Sequence, residues 1–116
     1  MTEYITCPGE KGNINISEEV VAAMVNAAVS EVEGVSGFAH AAAQELFGKK
    51  NVSKGIKVQF DERKIIIDAM ILVRAGFAVT SVAQKVQESV VNAVEAMTGM
   101  GMPTVNVHVS GVTFEK

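Results

Sequence analysis

Between Thr80 and Gly99 the apolar residues Val82, Ala83, Val86, Val90, Ala93, Val94 and Met97 recur at helical spacing and form one unbroken stripe. A helix of this length with one apolar side needs a broad surface to cover it. The strand-like segments elsewhere in the chain imply that this surface is a sheet. Each large member of the stripe contributes about 1.5–3 kcal/mol when fully buried, so its partner dominates the stability of the fold. Thr80 is positioned as the cap of this helix and Gly99 as its terminator.

The remaining segments supply the rest of the fold. Ile14 and Ile16 alternate with Asn13 and Asn15, which predicts a short strand over Gly12–Ile16 with one buried side. Ser17 then offers an N-cap and Glu18 and Glu19 put negative charge on a first helical turn, so a helix is expected over 18–33 with Gly34 as its stop. Its apolar positions are Val20, Val21, Met24, Val25, Ala28 and Val32, and Ala22, Ala23 and Ala27 keep its surface low. The run Ala39 to Leu46 suggests a brief further helix. Ile56, Val58 and Phe60 alternate with Lys57 and Gln59, Asp61–Arg63 turns the chain, and Ile65, Ile67, Ala69, Ile71 and Val73 return along one face of a second strand. A last strand carries Val105, Val107 and Val109. Val112 and Phe114 are out of phase with these, which a bulge at Gly111 would explain.

This order predicts an α+β fold: a two-layer sandwich, with a largely antiparallel sheet and two long helices on one face, in βαββαβ-like order. Ferredoxin-like pairing is the first expectation. At 116 residues the chain has room for one core, read as a flexible segment over 1–11 followed by a single domain over 12–116. The net charge of -3, with carboxylates spread along the chain, argues against nucleic acid as a general ligand. Cys7 is the single cysteine, which suits a reducing compartment, and its neighbourhood lacks the features of a secretory leader. The most apolar run, Ile65 to Val73, is interrupted by Asp68, so direct membrane insertion is not expected.

Chemistry-bearing motifs are scarce. A nucleophile needs a base and an orienting group, but His40, His108 and Cys7 lie far apart in sequence, and surface or packing roles are expected for both histidines. No His or Cys pair has ligand spacing, so neither a metal nor a cofactor is expected, and no catalytic residue is assigned. The GxxG of Gly9–Gly12 precedes a strand and reads as a turn, and the glycines after Met97 read as a helix end. Lys49, Lys50 and Lys54 form a small basic loop, and the open sheet face lacks the aromatics that read RNA.

The second face of the long strand is the more informative feature. Ile66, Met70 and Leu72 lie opposite the presumed helices, and three apolar side chains aligned there form a candidate interface for a protein partner or a second copy. The competing expectation is that Ala39 to Asn51 folds back over them.

Several segments together resemble the alkaline shock protein family, the small envelope-stress-response proteins of Gram-positive bacteria. They are GNINISEEVV with GVSG around the first helix, KGIKVQFDERKIIIDAMILVRAG across the hairpin, and VAQKVQESVVNAVEAMTGM followed by VNVHVSGVTF. The resemblance implies a cytoplasmic, non-enzymatic protein held near the membrane by an integral membrane partner, active in cell-envelope homeostasis and in some members self-associating. It transfers no catalytic residues. Thr80 and Ser81 stand where many relatives open the second long helix with proline. A small-molecule-binding regulatory module is the alternative from a different class.

Overall fold

A computed structural model describes residues 4–39, 52–53, 55–61, 64–99 and 103–114. The elements run β1 (Tyr4–Gly9), β2 (Gly12–Ser17), α1 (Glu18–Ser30), β3 (Val35–Phe38), β4 (Val52–Ser53), β5 (Ile56–Asp61), β6 (Lys64–Arg74), α2 (Val79–Thr98) and β7 (Thr104–Thr113). Strands β1 and β2 form an antiparallel hairpin of their own, and the other five strands form the large sheet. The fold is α+β, with both helices packed on one face of that sheet.

β6 is the central strand. Its odd-numbered residues Ile65, Ile67, Ala69, Ile71 and Val73 are all buried under the helices, together with Ile56 and Val58 of β5. The stripe on α2 lands there as its periodicity requires: Val82, Val86, Val90 and Val94 are buried. Thr98 closes the stripe, its hydroxyl donating to the Val94 carbonyl at 2.9 Å. Gly99 ends α2 in the left-handed region, its N–H bonded to the Glu95 carbonyl at 2.8 Å. α1 begins as its sequence requires, with Ser17 Oγ accepting from the Val20 N–H. Ser89 of α2 ties the two helices together by donating to the Ala28 carbonyl at 3.1 Å.

One edge of β6 is shared by two strands placed end to end. β5 pairs antiparallel along Lys64–Ala69 and β3 pairs antiparallel along Ile71–Val73. They meet at Met70, which donates to the Gly55 carbonyl at 2.9 Å and accepts from the Ala39 N–H at 3.0 Å. Gly55 has φ +84°, and a Cβ on it would lie 3.0 Å from the Cβ of Phe38, so the seam needs glycine on both counts. β7 lies parallel to β6 on the other edge. Its register slips between Val109 and Gly111, the bulge that the phase of Val112 requires.

Several expectations are corrected. Ferredoxin-like pairing separates the two parallel strands of a βαβ unit with another strand, whereas here β7 pairs directly with β6. The strand that would have lain between them, β2, pairs instead with β1. Within the segment read as 1–11, Tyr4–Gly9 forms a strand, with Ile5 and Cys7 buried on one side of the hairpin. α1 stops at Ser30, before the expected 33, and Val20 and Met24 on it face outward at 49% and 36% exposure. The buried side is instead formed by Val21, Ala22, Val25, Ala28 and Val29. α2 starts at Val79 with Ala78 as an N-cap that makes no side-chain bond, so Thr80 lies inside the first turn. Phe114 is 79% exposed and does not join the core. The brief helix expected over Ala39 to Leu46, His40, the Asp61–Arg63 turn beyond Asp61, the basic loop residues and Met100 to Met102 lie outside the described residues.

Candidate functional site

The sheet face turned away from α1 and α2 is built by alternation. Strand geometry sends Ile66, Asp68, Met70, Leu72 and Arg74 of β6 to this side because their odd-numbered neighbours fill the core. The parallel register adds Thr104, Asn106 and His108 of β7, opposite Ile66, Asp68 and Met70 respectively. The antiparallel register adds Lys57 and Gln59 of β5, opposite Asp68 and Ile66. The sequence placed Ile66, Met70 and Leu72 on one face, and the backbone does bring them onto one side of one strand.

Their exposures differ. Ile66 and Leu72 are half-buried, but Met70 is only 5% exposed. Met70 thus contributes little surface as it stands, whereas the two flanking residues keep area for a contact. The segment Ala39 to Asn51, which the sequence offered as a cover for this face, lies outside the described residues beyond Ala39.

A polar group sits between the apolar residues. The Asp68 side chain is 15% exposed. Its Oδ1 accepts from Asn106 Nδ2 at 3.1 Å and lies 3.2 Å from His108 Nε2. When His108 is protonated this contact becomes an ion pair. A carboxylate buried to this degree needs such partners, since desolvating it alone is costly. Sequence spacing could not have revealed the group, because Asp68 and His108 are 40 residues apart and meet only through the β6–β7 register.

What the arrangement can do chemically is limited. A carboxylate holding an imidazole is half of a proton-transfer relay, and a nucleophile would have to complete it. Cys7 belongs to the separate hairpin sheet and is buried there. Among the described residues no three His, Cys, Asp or Glu side chains converge on a metal-sized site. None of the described helices is long and apolar enough to cross a membrane. Apolar residues flanking a satisfied polar group on a flat strand surface give the mixed composition of a protein contact.

Comparison with known proteins places the chain. The family model for the alkaline shock protein 23 family, described as having a cell envelope-related function, matches residues 7–114. The chain belongs to this family. It is 34% identical over 107 residues to the uncharacterized protein YqhY of Bacillus subtilis (strain 168), covering 90% of this chain and 79% of that one. To YloU of the same organism, also uncharacterized, it is 33% identical over 106 residues, covering 87% and 88%. Among solved structures the fold is similar to the MamM CTD. A methionine-to-leucine variant of that domain superposes with a TM-score of 0.52 at 20% sequence identity, covering 81% of this chain and 96% of that one. This second likeness concerns the fold alone.

Proposed function

We propose that this member of the family is a non-enzymatic docking protein in cell-envelope stress response or homeostasis. It works on the cytoplasmic side of the membrane, where an integral membrane protein holds it, and it does not insert itself. The observation that carries this reading is the half-buried pair Ile66 and Leu72 on a sheet face that neither α1 nor α2 covers. The cell envelope-related function of the family supports the same setting.

In this reading Ile66 and Leu72 supply the apolar contact, while Asp68 with its Asn106 and His108 partners fixes orientation. Met70 stiffens the strand beneath. The test is a pull-down from detergent-solubilised cells, using wild type and Leu72→Glu as baits, with mass spectrometry as the readout and circular dichroism as the check on folding. Wild type is expected to recover a membrane protein that the variant loses. Recovery of the same membrane protein by both baits would move the contact off this face. If neither bait recovers a partner and a thermal-shift screen finds a metabolite that raises the melting temperature, the small-molecule module replaces this reading.

A further inference from the structure

β7 forms an edge of the large sheet, and β6 is its only strand partner among the described residues. Hydrogen bonds already described fix which of its backbone groups turn outward. Met70 bonds to Gly55 and Ala39, and Arg74 donates to the Gly34 carbonyl, so the even-numbered residues of β6 turn their backbone groups away from β7. The odd-numbered ones turn towards it, and Ala75, next in that series, donates to the Thr113 carbonyl at 2.8 Å. With the observed register, the inward set on β7 is Thr104, Asn106 and His108 before the bulge, and Gly111 and Thr113 after it. Val105, Val107 and Val109 therefore turn outward. Gln87 on α2 agrees with this assignment, since its Nε2 donates to the Val105 carbonyl at 3.2 Å from outside the sheet.

Sheet edges of this kind are ordinarily blunted by charge, proline or short length. β7 runs for ten residues, and Thr104–Thr113 contains no Asp, Glu, Lys, Arg or Pro. The bulge disturbs only its far half. What remains is Val105-Asn106-Val107-His108-Val109, which alternates identically when read in either direction about Val107.

We infer that this edge pairs with the same edge of a second copy of the chain, antiparallel about a two-fold axis through Val107, joining two sheets into one. That register opposes Val107 to itself and Val105 to Val109 on the helix side, with Asn106 opposite His108 on the other. All three outward valines fall at hydrogen-bonded positions, and the two Val107 residues exchange both of their bonds. The occupant is a second copy because the window is self-complementary in side chains, backbone polarity and lack of charge at once. This edge adjoins the sheet face proposed above for the envelope partner and shares Asn106 and His108 with it, but not Ile66 or Leu72.

Sedimentation velocity of the full chain over a concentration series tests the inference. Wild type is expected to dimerise, and Val107→Pro to weaken the dimer by roughly 100-fold through loss of the reciprocal bonds, with unchanged circular dichroism. Proline is tolerated there because the N–H it removes faces outward. Gln87→Ala uncovers the Val105 carbonyl and should tighten the dimer by about 2- to 5-fold. A wild type that stays monomeric up to about 1 mM, the upper end of the weak-complex range, overturns the inference. So does a dimer indifferent to a folded Val107→Pro.

Should Val107→Pro fail to fold, cysteine pairing in a Cys7→Ala background decides. Val107→Cys should form an interchain disulfide, since residues facing each other at this position have Cα atoms about 5.5 Å apart. Val105→Cys lies roughly 15 Å from its own copy and should not. Equal cross-linking at both positions overturns the register. Leu72→Glu should leave the dimer intact, so loss of the envelope partner and loss of the dimer are separable results.

Discussion

The two faces of β6 are made by one strand and do opposite work. On the helix side every residue from Ile65 to Val73 is buried and apolar, so that face is defined by volume. On the other side Ile66, Asp68, Met70, Leu72 and Arg74 run from buried to exposed, and a carboxylate sits among them with two partners. Close packing tolerates little change in shape, whereas a face with graded exposure tolerates substitution residue by residue. The contrast separates the positions that the core fills from those that keep some exposure.

Stepwise substitution along the strand sharpens this contrast. Ile71→Ala removes a fully buried side chain between sheet and helices and should cost about 3–4 kcal/mol in urea unfolding. A loss below about 1 kcal/mol would mean that the helix face is loosely packed. Met70→Ala should cost about 2 kcal/mol, since this residue is buried although it lies on the opposite face. If it costs nothing, Met70 belongs with its half-buried neighbours Asp68 and Leu72 and not with the core. Asp68→Ala leaves His108 and Asn106 without their shared acceptor, and a loss of about 1 kcal/mol is expected by thermal or chemical denaturation. An unchanged midpoint would reduce that group to an incidental contact. Leu72→Glu should shift stability by less than about 0.5 kcal/mol, because the added carboxylate can reach water. A large loss of folded signal would make Leu72 part of the core and erase the difference between the faces.

Much of the fold was legible because it rests on periodicity. The α2 stripe, the β5–β6 hairpin, the Ser17 cap and the bulge before Gly111 each leave a local signature, and each is where the sequence puts it. The errors arise where the outcome depends on what an element meets. Val20 and Met24 are apolar enough for the core, but α1 presents Val21 and Val25 instead. The β1 strand could have been found from the alternation of Ile5 and Cys7 before the Gly9–Gly12 turn, a signal too short to stand out. The direct pairing of β7 with β6 leaves no local trace, and with it went any view of Asp68 beside His108. Of the candidate site, the sequence places Ile66, Met70 and Leu72 on one side of β6 and overestimates how much of Met70 is exposed.

The seam at Met70 has a consequence for the length of the chain. Ala39 and Gly55 are bonded to the two backbone groups of that single residue, so β3 and β5 meet at one rung of β6, and β4 precedes Gly55 as a further strand paired with β5. The stretch between Ala39 and β4 can therefore change in length without altering the pairing of β3, β4 or β5. Doubling its length would add only about 0.6 kcal/mol of closure entropy. The fold therefore contains an insertion point, where sequence can be gained or lost at little thermodynamic cost while the pairing of the large sheet stays the same.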